Sequence, residues 1–391
     1  MSVPVTMLDD AFPAAVPDAV RAALLAPMVD HHCQGPRRGD SPRSEFELLI
    51  TGSAAPAPPG TTHFDTPVGA AVRRWCAPVL GLAPHASPAV YLSRRAELGG
   101  TEVNRRMLRE AGISAFLVDT GDDGPGRLTP AETGRLAGAA ADEIVRLERI
   151  EQEVAEAGLP AVRYSAVLRE ELAVRAARAA GLKSVAAHRY GLGAEPSRPS
   201  RGSVVAAAGR RIADPKRRLD DPVLARHLLW AAVDVARERG LPIQLHCGAG
   251  GPGPDAHRAD PSPLAGFLRA LAPLGVPVVL LDCYPHHRQA GHLANAFPNV
   301  LVDVGPALAR AAAGAARIVA ETLELVPFHK QLFGSGGRGA AESSYLGALY
   351  HRLGLARVLA ERVAEGEWSA ADAERVAHMI GSGNARRIYR L

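Results

Sequence analysis

Eight short apolar runs, each followed by a segment with helical periodicity, set the frame for this chain. They are 27–32 (PMVDHH), 113–119 (ISAFLVD), 144–149 (IVRLER), 182–189 (LKSVAAHR), 242–247 (PIQLHC), 277–283 (PVVLLDC), 299–304 (NVLVDV) and 331–335 (QLFGS). Near-continuous Val, Ile and Leu over such short lengths is the pattern of a strand covered on both faces, as in a parallel sheet flanked by helices. Between and after the runs, segments 66–80, 88–111, 130–139, 161–180, 221–239, 262–273, 286–297 and 307–325 read as helices, and 343–364 and 369–380 follow the last run. Pro- and Gly-rich stretches at 52–60, 191–203 and 250–263 read as loops. Eight β/α repeats joined by right-handed crossovers close into a barrel rather than an open doubly wound sheet. The expected architecture is a (β/α)8 TIM barrel in one domain, 1–391, with 36–112 inserted as a helical cap between strands 1 and 2 and extra helices at the C-terminal end.

Composition excludes several classes. Forty-five basic residues face 41 acidic ones, the only lysines are Lys183, Lys216 and Lys330, and the arginines are interspersed with carboxylates along helical segments. That is a solvated surface, not the clustered charge and stacking aromatics of a nucleic-acid footprint. The four cysteines, Cys33, Cys76, Cys247 and Cys283, lack C-x-x-C spacing and point to a reducing compartment; beside candidate site residues they read as small buried hydrophobes. No apolar run reaches the roughly 18 residues of a membrane span, and no signal-peptide pattern opens the chain, so a cytoplasmic protein without membrane partners is expected.

Barrel enzymes carry their chemistry at the C-terminal ends of strands. The polar residues expected there are His31, His32 and Gln34 after strand 1, Asp119 after strand 2, Glu148 and Arg149 on strand 3, and Lys183, His188 and Arg189 on strand 4. His246, Asp282 and Asp303 end strands 5 to 7, and strand 8 ends in Ser335-Gly336-Gly337. So many ionisable groups inside a barrel are costly unless they pair or bind something. His31 is expected on the opposite pleat from His32, bonded behind the barrel wall, and Asp119 and Asp303 could equally serve loop amides. Pro285 suits a helix start, which would aim His286 at the barrel mouth and leave His287 and Arg288 as structural caps.

The segments VDHHCQG, TTHFDTPVGAAVRRWCAPVLG, LKSVAAHRYGL, IQLHCG, CYPHHRQAGHLANAFPNVLVDVG and SGNARRIYRL resemble, in order, those of the amidohydrolase superfamily. The resemblance is to its amidohydrolase-related branch of metal-dependent hydrolases, which also occurs fused to glutamine-synthetase-like domains. It implies a His-x-His on strand 1, a His on strand 5, a His on strand 6 and an Asp on strand 8 that binds metal and activates water. His32 and His246 match that pattern. Gln34, Asp282 and Gly336 stand where the second His, the strand-6 His and the strand-8 Asp are expected. Zinc prefers nitrogen and sulfur donors, a carboxamide oxygen is a poor ligand, and glycine is none. Lys183 occupies the strand-4 place that in some members holds a carbamylated lysine between two metals. It could also be a cation paired with Asp282, a base, a clamp for a substrate carboxylate, or a strand-entrance lysine reaching solvent.

The reading adopted from the sequence is an enzyme with an altered metal site and metal-independent acid–base catalysis. His32, His246, Asp282, Lys183 and His286 are its candidate catalytic residues, and Gln34, Arg149, Arg189 and Ser335 its substrate contacts. Cyclisation, condensation, elimination or decarboxylation of a small polar molecule suits such a site, in specialised bacterial metabolism by analogy. One alternative keeps a single divalent ion, Zn, Mn or Fe, on His32, Gln34, His246 and Asp282 for hydrolysis of a C–N bond. Another is a binding scaffold without catalysis. Segment 36–112 could also make a homodimer contact, with Trp75 and Phe64 serving there, over the mouth, or in core packing.

Overall fold

The computed structural model describes residues 8–121, 126–185, 191–193, 195–248 and 256–391. Seven parallel strands form one sheet in chain order: β1 (Met28–Cys33), β2 (Ile113–Asp119), β3 (Ala140–Arg146), β4 (Gly181–Ser184), β5 (Ile243–His246), β6 (Val278–Leu281) and β7 (Val300–Val302). Each strand pairs with its neighbour in sequence, the arrangement that successive β/α crossovers produce. Val29, Leu117, Val279, Leu281, Leu301 and Leu332 pack on the inner face with Tyr389, which the helix Asn384–Tyr389 brings in from the C-terminal end.

The predicted eighth strand is the first departure. Segment 331–337 makes only isolated bridges, Gln331 to Val302 and Gly337 to Cys33. It still touches both edges of the sheet: Leu332 N donates to Val302 O (3.0 Å), Gly336 N to His32 O (2.9 Å) and Gln34 N to Gly337 O (2.8 Å). Gly336 has a φ of 58°, which breaks the extended backbone where a regular ladder would continue. The sheet is therefore a curled parallel seven-stranded one with an irregular segment across its open side.

The third strand is shifted. It covers Ala140–Arg146, and Leu147 opens the helix Leu147–Glu156, so Glu148 and Arg149 are helical rather than on the strand. The apolar positions of IVRLER continue at helical spacing, with Leu147, Ile150 and Val154 all buried. The alanine-rich start is held as strand by pairing with β2, Ala115 opposite Ala140, where propensity alone argues against it. Of the predicted strand 182–189, residues 182–184 fall in the observed β4, which starts at Gly181, and His188 and Arg189 lie outside the described residues.

Between β1 and β2 lie the helices Arg43–Thr51, Pro67–Ala71 and Pro88–Glu110. Buried Glu342, on the helix Ala341–Ala364, ties this segment down by accepting from Tyr91 (2.8 Å) and Arg95 Nε (2.7 Å). Phe64 and Trp75 are both buried in the adjoining apolar core, so core packing is their role. Among the described residues no helix is long and apolar enough to cross a membrane.

Candidate active site

Two consecutive histidines end β1, and alternation would send them to opposite faces. The β1–β2 register shifts between Asp30 and Cys33, the mark of a bulge. Both rings consequently reach one carboxylate: Asp303 Oδ2 lies 2.9 Å from His31 Nε2 and 3.2 Å from His32 Nδ1. His31 is thus not behind the wall as its pleat suggested. Its Nδ1 meets Tyr389 OH at 3.0 Å, and Gln244 Nε2 donates to both His31 O and Tyr389 OH at 2.9 Å. The other oxygen of Asp303 accepts from the Asp282 backbone N–H at 2.6 Å, so this residue serves a loop amide and two imidazoles at once.

Asp282 is the second carboxylate of the cluster. Its Oδ2 accepts from His246 Nε2 at 2.6 Å, and its Oδ1 lies 3.3 Å from His32 Nδ1. The residue adopts φ 55°, a left-handed conformation that Asp tolerates better than most and that recurs at functional sites. Gly305 makes room for it, because a Cβ there would stand 1.7 Å from Asp282 Oδ1. Burial by itself would raise the Asp282 carboxyl, but His32 and His246 outweigh it and hold the group below the ordinary carboxylate range. Asp303 is likewise lowered, burial being outweighed by the hydrogen bonds from His31 and His32. Burial, only partly offset by Asp282, holds the His246 imidazole below its ordinary value. Near neutral pH the arrangement is therefore an Asp282 carboxylate accepting the Nε2–H of a neutral His246. His32 donates Nδ1–H toward the carboxylates, and its Nε2 takes no hydrogen bond among the described residues.

A family model described as amidohydrolase matches residues 130–391. This chain belongs to the amidohydrolase family. The protein fluG of Emericella nidulans (strain FGSC A4) is 27% identical over 223 residues, covering 54% of this chain and 25% of that protein, so the match spans a quarter of that relative's length. A candidate metal-dependent hydrolase from Lactobacillus casei ATCC 334 superposes with a TM-score of 0.81 at 22% identity, covering 96% of this chain and 98% of the other. A glucuronate isomerase from Caulobacter crescentus gives a TM-score of 0.64 at 14% identity, over 98% and 96% of the two chains. At such identities the solved structures establish the shared fold.

The substituted positions of this amidohydrolase can be placed one by one. His32, His246 and Asp282 each offer a donor atom within 4.8 Å of the other two, and all three are buried. Asp282 Oδ1 is buried and takes no hydrogen bond of good geometry. Two imidazoles and a carboxylate with an unused oxygen suit a single divalent cation. Gln34 is half-buried, no hydrogen bond links it to the cluster, and its Oε1 is buried without a partner. Gly336 cannot be exchanged for the carboxylate its position suggests, because a Cβ there would lie 2.3 Å from Pro306 Cδ and 2.8 Å from Pro306 N.

Lys183 is neither solvent-reaching nor paired with Asp282. It is 2% exposed and its Nζ meets Asp119 Oδ2 at 2.9 Å. Arg146, the true end of β3, pairs with the same Asp119 carboxylate. Arg149 is exposed on the following helix, where it pairs with Glu153 at 3.1 Å. Ser335 is fully buried and donates from Oγ to Asp30 Oδ2 at 2.6 Å, which fixes segment 331–337 against β1. His286 is half-buried at the start of the helix His287–Ala296, and among the described residues no hydrogen bond or ion pair joins it to Asp282, Asp303 or His32. His287 bonds Glu321 and Arg288 bonds Glu324, both at 2.7 Å, so they tie this helix to the helix Ala315–Leu325 rather than cap it as expected. Asp303 was legible only as a strand-end polar residue; Arg146 was passed over because strand 3 was expected to run to Arg149, and Gln244 and Tyr389 carried no local signal.

Proposed function

We propose that this amidohydrolase-fold chain is an enzyme that moves protons on a small polar substrate, with His32 as the group that accepts or returns the proton. The observation that carries this reading is that the Nε2 of His32 takes no hydrogen bond among the described residues, while its ring is oriented through Nδ1 by Asp303 and Asp282. A carboxylate on one ring nitrogen fixes tautomer and orientation and raises the basicity of the other, the logic of an Asp–His dyad. His246, held by Asp282 at 2.6 Å, supplies a second imidazole whose protonation answers to the same carboxylate. Such a pair suits isomerisation, elimination, decarboxylation or condensation. The glucuronate isomerase from Caulobacter crescentus, whose fold this chain shares, supports a non-hydrolytic reaction. Segment 36–112 acts as a cap in this reading, and the chain works as one domain.

A second reading rests on the three converging donors. His32, His246 and Asp282 would hold one divalent cation, which would supply Lewis-acid polarisation of a substrate oxygen or of water. Gly336 leaves strand 8 without the usual carboxylate base, so Asp303 beside His32 is the remaining candidate for that part.

Elemental analysis of protein purified without chelator, together with calorimetric titration of Zn2+ and Mn2+, separates the two. Proton transfer without a metal expects less than about one ion per ten chains and no stoichiometric uptake. One tightly bound ion per chain, lost in His246→Ala, would establish the metal reading instead.

A further inference from the structure

Tyr389 approaches the histidine–carboxylate cluster from the end of the sheet where the strands begin. Its helix is tied there by Asn384 Nδ2, which donates to Phe328 O at 2.8 Å and to Gln331 O at 2.7 Å. Arg386 adds a hydrogen bond to Ser114 Oγ at 3.1 Å, next to the first residue of β2. The Tyr389 ring is buried on the inner face, its centroid 5.7 Å from that of His31. Its hydroxyl meets two polar groups, Gln244 Nε2 at 2.9 Å and His31 Nδ1 at 3.0 Å.

The proton positions follow from counting donors. Gln244 Nε2 also faces His31 O, which only accepts, so the amide nitrogen rather than Oε1 stands on this side and gives up both hydrogens. The Tyr389 oxygen therefore accepts from Gln244. Burial pushes this phenol well above its ordinary value, so it keeps its own proton. Among the described residues His31 Nδ1 is the acceptor within reach of that proton, and a proton on Nδ1 would leave a buried O–H without one, which is costly. His31 then carries its proton on Nε2, 2.9 Å from Asp303 Oδ2. That contact is close but poorly aligned for a hydrogen bond, so Asp303 alone is a weak determinant of the tautomer.

We propose that the Tyr389 hydroxyl is a positioning group for the proton-transfer site: by donating to His31 Nδ1 it holds the His31 proton on Nε2, so that Asp303 faces a donor on each imidazole and stays oriented toward His32. The inference deepens the proton-transfer reading above and rests on it. Asp303 has no spare contact to lose. Its Oδ1 accepts from the Asp282 N–H at 2.6 Å, and its Oδ2 meets His31 at 2.9 Å and His32 at 3.2 Å. The opposite His31 tautomer would set a lone pair against this carboxylate, and a turn to escape it would loosen His32 and the Asp282 backbone together. Ile388, one position earlier, packs against the same apolar face and brings no polar atom to it, so the two residues separate positioning from packing.

Long-range 1H–15N NMR spectra of the full chain, labelled at the histidine nitrogens and with the rings assigned from the backbone, test this. In the wild type His31 should be protonated on Nε2 alone and His32 on Nδ1 alone. Tyr389→Phe keeps the ring and removes only the hydroxyl. It should move the His31 Nδ1 resonance toward that of a nitrogen without a hydrogen bond, and speed solvent exchange of the His32 Nδ1 proton by about tenfold or more. Ile388→Ala should lower the melting temperature yet leave both proton positions unchanged and the exchange rate within about twofold of wild type. A wild-type His31 protonated on Nδ1, or on both nitrogens, would overturn the positioning role. So would unchanged His32 exchange in Tyr389→Phe, or an equal acceleration in Ile388→Ala. Should Tyr389→Phe not fold, the wild-type proton positions still decide. None of these readouts needs turnover, so the positioning role can fail while His32 still transfers protons, and the elemental analysis above is untouched by either result.

Discussion

Two buried carboxylates on the same sheet are balanced in opposite ways. Asp119, at the end of β2, faces Lys183 and Arg146; Asp282, after β6, faces His246 and His32. Burial would raise both, and in both the neighbours win and keep the acid ionised. The partners differ in what they can do next. Arginine does not give up its proton, so the Asp119 side is a locked ion cluster joining β2, β3 and β4. Imidazole exchanges its proton near neutrality, so the Asp282 side can pass charge to a substrate. One side of the sheet's carboxyl end is therefore a fixed ion cluster, and the other carries the imidazoles on which the proposed proton transfer rests.

The contrast can be broken most visibly at Asp119. Asp119→Asn leaves two buried cations without their anion and should cost about 3–5 kcal/mol in urea unfolding, without a specific loss of proton transfer in the folded fraction. Asp282→Asn inverts that pattern: about 1–2 kcal/mol of stability, but a fall in kcat of about 100-fold or more, measured on any substrate the chain turns over. Gly305→Ala should cost about 1–3 kcal/mol and reduce kcat as well, since its methyl group would have to displace the Asp282 carboxylate. A crystal structure of that variant with Asp282 unmoved would show that the close approach is dispensable.

The smallest expected effect is on pH dependence. His246 is held below its ordinary value, so its contribution to stability is complete above the unfolded-state value of about 6.5 and declines as pH falls from there. Asp119, Asp282 and Asp303 are also lowered, and their contribution is present above about pH 4 and lost below it. Unfolding free energy should thus fall in two steps on acidification. His227, His329 and His351 are lowered too and share the upper step, so His246→Gln should shrink it while Asp119→Asn should alter only the lower one. An upper step of unchanged size in His246→Gln would mean that Asp282 offsets burial at this ring, and a larger step that it stabilises the protonated ring more than burial opposes it.

His32, His246 and Asp282 were visible in the sequence because each closes a run of apolar residues, and a strand end is a local property that periodicity reveals. The seven strands were legible for the same reason. The partner of Lys183 was not, because nothing local distinguishes Asp119 from Asp282 as the carboxylate within reach of a lysine on β4. Arg149 was misplaced by a three-residue shift in β3, where the strand borrows stability from β2 pairing and the apolar pattern already belongs to the next helix.

By itself, then, the sequence determined the alternation of strand and helix and the chemical identity of the groups at the strand ends, since both depend on neighbours a few positions away. Which of those groups meet was decided only by the tertiary structure. The bulge in β1 brought His32 to the face that Val29 and His31 already share, so that both imidazoles meet Asp303, and the approach of Pro306 closed position 336 to a carboxylate. Those outcomes depend on ångström-scale distances between residues tens to hundreds of positions apart, and no local pattern encodes such distances.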